Sequence, residues 1–153
     1  MANTQTRLLV VDDEPSLRGV VSAILAARGY AVVAANDGLD ALDQLAKSLP
    51  DIILSDLRMP RMSGFEFLAI VRQRFPQVPV IATSGEFGES DLPAGVLADA
   101  YLEKGNYTAN QLCATITGLL AASPFRRRSA VVGAGQRRLS EVFHQGEHAA
   151  IAY

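Results

Sequence analysis

The chain has 153 residues, 49% hydrophobic and 20% charged, which is room for one globular domain with a packed core and a tail. The single Cys113 excludes an internal disulfide, no Cys/His spacing suits a structural zinc, and no unbroken apolar run is long enough to span a bilayer. The net charge of −2 is unevenly spread: residues 1–123 carry nine Lys/Arg against fourteen Asp/Glu, whereas residues 124–153 carry five Arg against two Glu.

The polar start, Met1 to Arg7, enters a strand pattern directly, so no signal peptide is expected and the cytoplasm is the default address. Arg7-Leu8-Leu9-Val10-Val11 reads as a buried strand that stops at Asp12-Asp13-Glu14-Pro15. Pro15 suits a first helical turn, and Leu17, Val20, Val21, Ile24 and Leu25 recur at helical spacing up to Gly29. Tyr30 to Ala35 is a second strand and Asn36-Asp37-Gly38 a turn. Leu39, Leu42 and Leu45 mark a second helix that ends near Leu49-Pro50. Asp51 to Ser55 is a third strand, and Asp56 is expected just beyond it, in a loop that runs to a third helix from about Ser63-Gly64. Phe65, Phe67, Leu68, Ile70 and Val71 form that helix, stopped at Phe75-Pro76.

Val78 to Thr83 is a fourth strand. Pro93 and Gly95 interrupt the next stretch, so any helix between Ser84 and Ala98 is short or distorted. Ala100 to Glu103 is a brief fifth strand, and Gln111 to Ala122 a last helix in which Cys113 is a small core residue. Strand and helix alternate five times in about 120 residues, which argues for a parallel sheet covered on both faces.

Four strands end in polar residues that a core does not need: Asp12-Asp13, Asp56, Ser84 and Lys104. In a parallel sheet these ends share one edge, the edge where open α/β folds bind ligands. Three carboxylates together call for a cation. Hard oxygen donors with few protein ligands suit Mg²⁺, which keeps waters and takes phosphate oxygens. Lys104 adds a point charge and Ser84 a hydroxyl donor, so the set can cradle an anion delivered to Asp56. Phosphoryl transfer depends on such charge neutralisation, and a carboxylate can form an acyl phosphate. Each residue alone has a plain reading as a capping acid, a surface lysine or a turn serine.

The sequence resembles the receiver domain of two-component response regulators over roughly residues 6–122. The resemblance rests on Val10-Val11-Asp12-Asp13-Glu14-Pro15, Ser55-Asp56-Leu57-Arg58-Met59-Pro60 with Gly64, Pro79 to Gly85, and Ala98 to Lys104. It implies a flavodoxin-like, doubly wound five-stranded parallel sheet of order 2-1-3-4-5. It further implies that Asp56 accepts a phosphoryl group from a sensor histidine kinase or a histidine phosphotransfer protein. Asp13, Asp56 and the backbone carbonyl of Arg58 would hold Mg²⁺, with Asp12 helping through water. Ser84 and Lys104 would bond the phosphate. Tyr101 matches the family's switch aromatic, with a half-buried strand tyrosine as the plain alternative. Output would pass to a downstream protein partner.

Three departures from the pattern stand out. Gly105 follows Lys104 where the family usually has Pro, so that loop is expected to be set differently. The stretch from Ser84 to Lys104 is slightly short and broken by Pro93 and Gly95, which predicts weakened or altered self-association through that face. Residues 123–153 read as a basic, flexible tail, too short for a usual DNA-binding domain, so nucleic acid is not the expected partner. Arg58 and Glu86 are placed at the mouth of the pocket. The resulting expectation is a receiver at residues 1–122 acting as a stand-alone switch or phosphorelay carrier, a phosphoacceptor rather than an enzyme. The alternatives are a receiver-like binding module that acts without phosphorylation and, from a third class, a phosphatase, against which Arg58 stands where a second Asp belongs.

Overall fold

The computed structural model describes residues 5–86 and 96–122. The elements are β1 (Arg7–Val11), α1 (Pro15–Ala27), β2 (Ala31–Ala35), α2 (Gly38–Lys47), β3 (Ile52–Asp56), α3 (Gly64–Arg74), β4 (Val80–Ser84), β5 (Ala100–Glu103) and α4 (Ala109–Ala122). All strand pairs are parallel, in the order β2-β1-β3-β4-β5. The sheet is the doubly wound, flavodoxin-like one that the sequence leads us to expect.

Strand alternation divides the core into two layers. Leu8, Val10, Ile52, Leu54, Ile81 and Leu102 face α1 and α4, where they meet Leu25, Leu112 and Ile116. Leu9, Val11, Ile53, Val80, Ala82 and Tyr101 face α2 and α3, where they meet Leu45, Phe67 and Leu68. Each large side chain fully buried in these layers contributes roughly 1.5–3 kcal/mol. Only β2 departs from two-sided burial: it is an edge strand, and its Val33 is exposed. Val20, placed by its spacing on the apolar stripe of α1, is also exposed.

Local signals set the helix ends. Pro15 occupies the first turn of α1, and Gly29 takes φ +92 behind it. Asp37 caps α2 by accepting from the Asp40 N–H, and Ser63 caps α3 by accepting from that of Glu66. Thr108 and Gln111 bond each other's main-chain N–H reciprocally at 3.0 and 2.8 Å. This capping box starts α4 two residues before the apolar periodicity does.

The chain leaves β1 for the edge strand β2, then returns to the other side of β1 to form β3. The strand order therefore reverses between β1 and β3, and a crevice opens beyond their C-terminal ends. Asp12 and Asp56 stand there. Residues 87–95 and the tail from residue 123 lie outside the described residues, as do the expectations of a broken helix, altered self-association and a flexible basic tail.

Candidate functional site

Asp56 is the last residue of β3, not a loop residue beyond it, and pairs in register with Thr83 of β4. Ser84 likewise closes β4, opposite Glu103. The strands expected from the sequence stop one residue early at both places, at Ser55 and Thr83, but the hydrogen-bonded ladder continues. The backbone of both residues is consequently set by strand pairing, and both are buried: Asp56 is 4% exposed and Ser84 0%.

Four strand ends deliver the predicted cluster. Asp12, directly after β1, is buried, while Asp13 is exposed. One oxygen from each of Asp12, Asp13 and Asp56 lies within 4.8 Å of the others. Lys104, from the end of β5, reaches across and places Nζ 2.8 Å from Asp56 Oδ2 and 2.9 Å from Asp12 Oδ2. The remaining oxygens of those two carboxylates are oriented by main chain. Asp56 Oδ1 accepts from the Arg58 N–H at 3.0 Å, and Asp12 Oδ1 accepts from the Glu14 N–H at 2.9 Å.

Burial pushes the Asp56 carboxyl above the usual range; its bonds to Lys104 and the Arg58 N–H oppose that rise without cancelling it. Burial alone would lower Lys104, but bonds to Asp56 and Asp12 outweigh it and the ammonium is held above its ordinary value. One ammonium thus serves two buried carboxylates, with Asp13 adding a third negative charge beside them. That donor set fits Mg²⁺: all ligands are oxygen, the group is compact, and each carboxylate oxygen can accept more than one bond.

Ser84 Oγ accepts from the Glu86 N–H at 3.1 Å. Its own hydroxyl proton is then available to donate to an anion. Tyr101 is buried, and its hydroxyl donates to the Ser84 carbonyl at 3.1 Å. Burial pushes that hydroxyl up to about 12. The tyrosine is therefore a core residue in direct contact with the backbone of Ser84, rather than half-buried. Arg58 and Glu86 do meet at the mouth, as an exposed ion pair of 2.6 Å between the β3–α3 and post-β4 segments.

The Lys104-Gly105 departure leaves the lysine in place. The peptide bond is trans, Gly105 takes φ +81, and the Asn106 N–H donates to the Glu103 carbonyl at 3.0 Å. Glu103 to Asn106 is thus a tight turn whose third residue must have positive φ, which glycine supplies. Two supports escaped the sequence reading. Arg18 of α1 donates from Nη1 to the Asp12 carbonyl at 2.8 Å, and Arg61 pairs with Asp37 across the foot of the β3–α3 loop. A cation one helical turn past Pro15 was the available signal for Arg18; nothing local marks the partner of Arg61.

The sequence profile described as "Response regulator receiver domain" matches residues 8–117. The DNA-binding transcriptional regulator NtrC of Escherichia coli (strain K12) is 42% identical over 89 residues, covering 58% of this chain and 18% of NtrC. Response regulator MprA of Mycobacterium leprae is 34% identical over 116 residues, covering 74% of this chain and 50% of MprA. The chain thus spans no more than half the length of either relative. Among solved structures, the chemotaxis response regulator CheY4 of Vibrio cholerae matches with TM-score 0.68 at 33% identity, covering 76% of this chain and 99% of that one. TrrA of Thermotoga maritima, in complex with Mg(2+)-BeF, matches with TM-score 0.68 at 29% identity, covering 75% and 99%. Fold, pocket and profile agree: the chain belongs to the response regulator receiver domain family of two-component systems.

Proposed function

We propose that the chain is a phosphorylation switch in which Asp56 accepts a phosphoryl group from a phosphohistidine on a sensor histidine kinase or a histidine phosphotransfer protein. The observation that carries this reading is the arrangement around Asp56: a buried carboxylate held by Lys104 at 2.8 Å and by the Arg58 N–H at 3.0 Å, with two further carboxylates beside it. Asp13, Asp56 and the Arg58 carbonyl would hold Mg²⁺, with Asp12 acting through water, and the ion would supply positive charge to the phosphoryl oxygens.

A carboxylate oxygen of Asp56 attacks phosphorus. The new oxygen–phosphorus bond replaces the nitrogen–phosphorus bond, whose electron pair stays on the imidazole. Lys104 exchanges its contact with carboxylate oxygen for one with phosphoryl oxygen, and Ser84 donates its free hydroxyl proton there. Ser84 moving toward the phosphate strains or breaks the Tyr101 hydrogen bond to its carbonyl, and this is how occupancy of the site reaches the surface. Such a shift is driven only by contacts that differ between the two states. The Arg58–Glu86 pair spans the approach to Asp56 and would tune the lifetime of the phosphorylated form. Output passes to a downstream protein partner, nucleic acid is not the expected partner, and the proposed location is the cytoplasm. Stand-alone action as a switch or phosphorelay carrier belongs to the same reading.

The test is intact mass after incubation with acetyl phosphate and Mg²⁺, for wild type and Asp56→Asn. One phosphoryl group gained by the wild type alone is expected. No gain by either would make the chain a receiver-like binding module that acts without phosphorylation.

A further inference from the structure

The loop from Leu57 to Ser63 carries Arg58, whose main-chain N–H orients Asp56 and whose carbonyl is assigned to the metal in the proposed function. Its ends are fixed by close packing. A Cβ on Gly64 would stand 2.1 Å from the Asp56 carbonyl oxygen, and the Gly64 N–H donates to the Leu57 carbonyl at 3.1 Å. The middle of the loop is held from a different element. Arg61 adopts φ +67, the only positive φ at a non-glycine among the described residues, and its guanidinium pairs with Asp37. Asp37 is 2% exposed and already caps α2 through the Asp40 N–H at 2.8 Å. Met62 lies across Gly38, where a Cβ would meet its Cγ and Sδ at 2.9 Å. An exposed arginine is thus kept in a left-handed conformation that L-residues resist by roughly 1–2 kcal/mol, next to a loop that must present a backbone oxygen.

The geometry points to Asp37 and Arg61 as positioning residues: their ion pair clamps the β3–α3 loop onto the N-terminus of α2 and so sets the Arg58 backbone for Mg²⁺. This inference rests on the metal assignment of the proposed function. Asp37 has two carboxylate oxygens and uses one for the cap and the other for Arg61. It therefore ties the start of α2 to the loop in a single side chain, without touching the carboxylate cluster. Residues one step removed from a metal commonly change its affinity by about 10–100-fold when altered.

A purely structural role and a positioning role predict opposite results for Arg61→Gly. Glycine accepts positive φ freely, so a stability role limited to the backbone gives a variant as stable as wild type or more so, with unchanged metal affinity. The positioning role gives a dissociation constant for Mg²⁺ raised about tenfold in a variant that stays folded, with some stability lost because buried Asp37 is left without its ion partner. Asp37→Asn keeps the helix cap and removes the charge, and is expected to raise the constant similarly; the double variant should be no worse than either single one. The measurement is an amide chemical-shift titration with MgCl₂ alone, with urea unfolding of each metal-free variant alongside. An unchanged Mg²⁺ constant in Arg61→Gly, or fully additive effects in the double variant, overturns the clamp and leaves the phosphoacceptor reading standing. A wild type that binds no Mg²⁺ removes the metal assignment itself, and the clamp with it.

Discussion

Asp56 has two flanks that are built in different ways. On the α2–α3 side, the loop after β3 is wedged by backbone contact at Gly64, by Met62 on Gly38 and by the Arg61–Asp37 pair. On the β4–β5 side, Ser84 accepts from the Glu86 N–H, Tyr101 donates to the Ser84 carbonyl, and Lys104 bonds the carboxylates of Asp56 and Asp12. Wedged backbone has no nearby alternative arrangement, because a shift of tenths of an ångström meets repulsion. A hydrogen bond between side chain and backbone can be exchanged for another of similar strength. A switch needs both: one wall that stays still while the other rearranges around the same carboxylate.

Substitutions on either wall can break this contrast. Gly64→Ala should be the most damaging change to the fixed wall, because its Cβ would stand 2.1 Å from the Asp56 carbonyl oxygen and 2.5 Å from Leu57 Cα, both backbone atoms that cannot step aside. Urea unfolding should show a loss of about 3 kcal/mol, the upper end of ordinary overpacking, or more. Lys104→Met, on the exchangeable wall, should leave a folded protein but slow phosphoryl uptake from acetyl phosphate about a hundredfold, the scale of losing one electrostatic contact to a reacting group. An uptake rate within a few-fold of wild type would mean that Lys104 serves only to neutralise the resting carboxylates.

Tyr101 supplies the pH-dependent prediction. Its hydroxyl is raised from 10.0 to about 12, so the native state holds the proton more tightly than the unfolded chain does. The stability it contributes is complete below pH 10 and is lost as pH climbs through about 12. The largest difference it can make is about 3 kcal/mol, from a rise of about two pH units. Wild type should therefore lose more stability than Tyr101→Phe between pH 10 and 12. Parallel curves would place the hydroxyl in contact with solvent. The smallest effect belongs to Gly105→Ala. Nothing lies within 4 Å of its added Cβ, so only the φ of +81 resists it, and a loss of about 1 kcal/mol is expected, measured by urea unfolding.

The strong periodic signals carried most of the fold. Leu8 to Val11 and Ile52 to Leu54 read as buried strands, and once the strands were parallel their polar ends had to meet. That is why Asp12, Asp13, Asp56, Ser84 and Lys104 were legible as one site without any contact between them in sequence. What escaped was set by backbone and by distant partners. The ladder runs on through Asp56 and Ser84 although their side chains are polar, and the α4 capping box precedes its apolar stripe. Arg61 reads as a surface cation in Pro60-Arg61-Met62-Ser63, because its partner Asp37 lies 24 residues earlier at a site that looks like an ordinary turn.

The most direct test of Asp56 as phosphoacceptor is chemical trapping. Protein treated with acetyl phosphate and Mg²⁺ is reduced with borohydride, which converts an aspartyl phosphate to homoserine, and the peptides are mapped by mass. Conversion is expected at position 56 and nowhere else, on the peptide that also carries Leu57 and Arg58. Conversion at Asp12 or Asp13, or none in a protein that otherwise folds and binds Mg²⁺, would contradict the assignment of Asp56 as the phosphoacceptor.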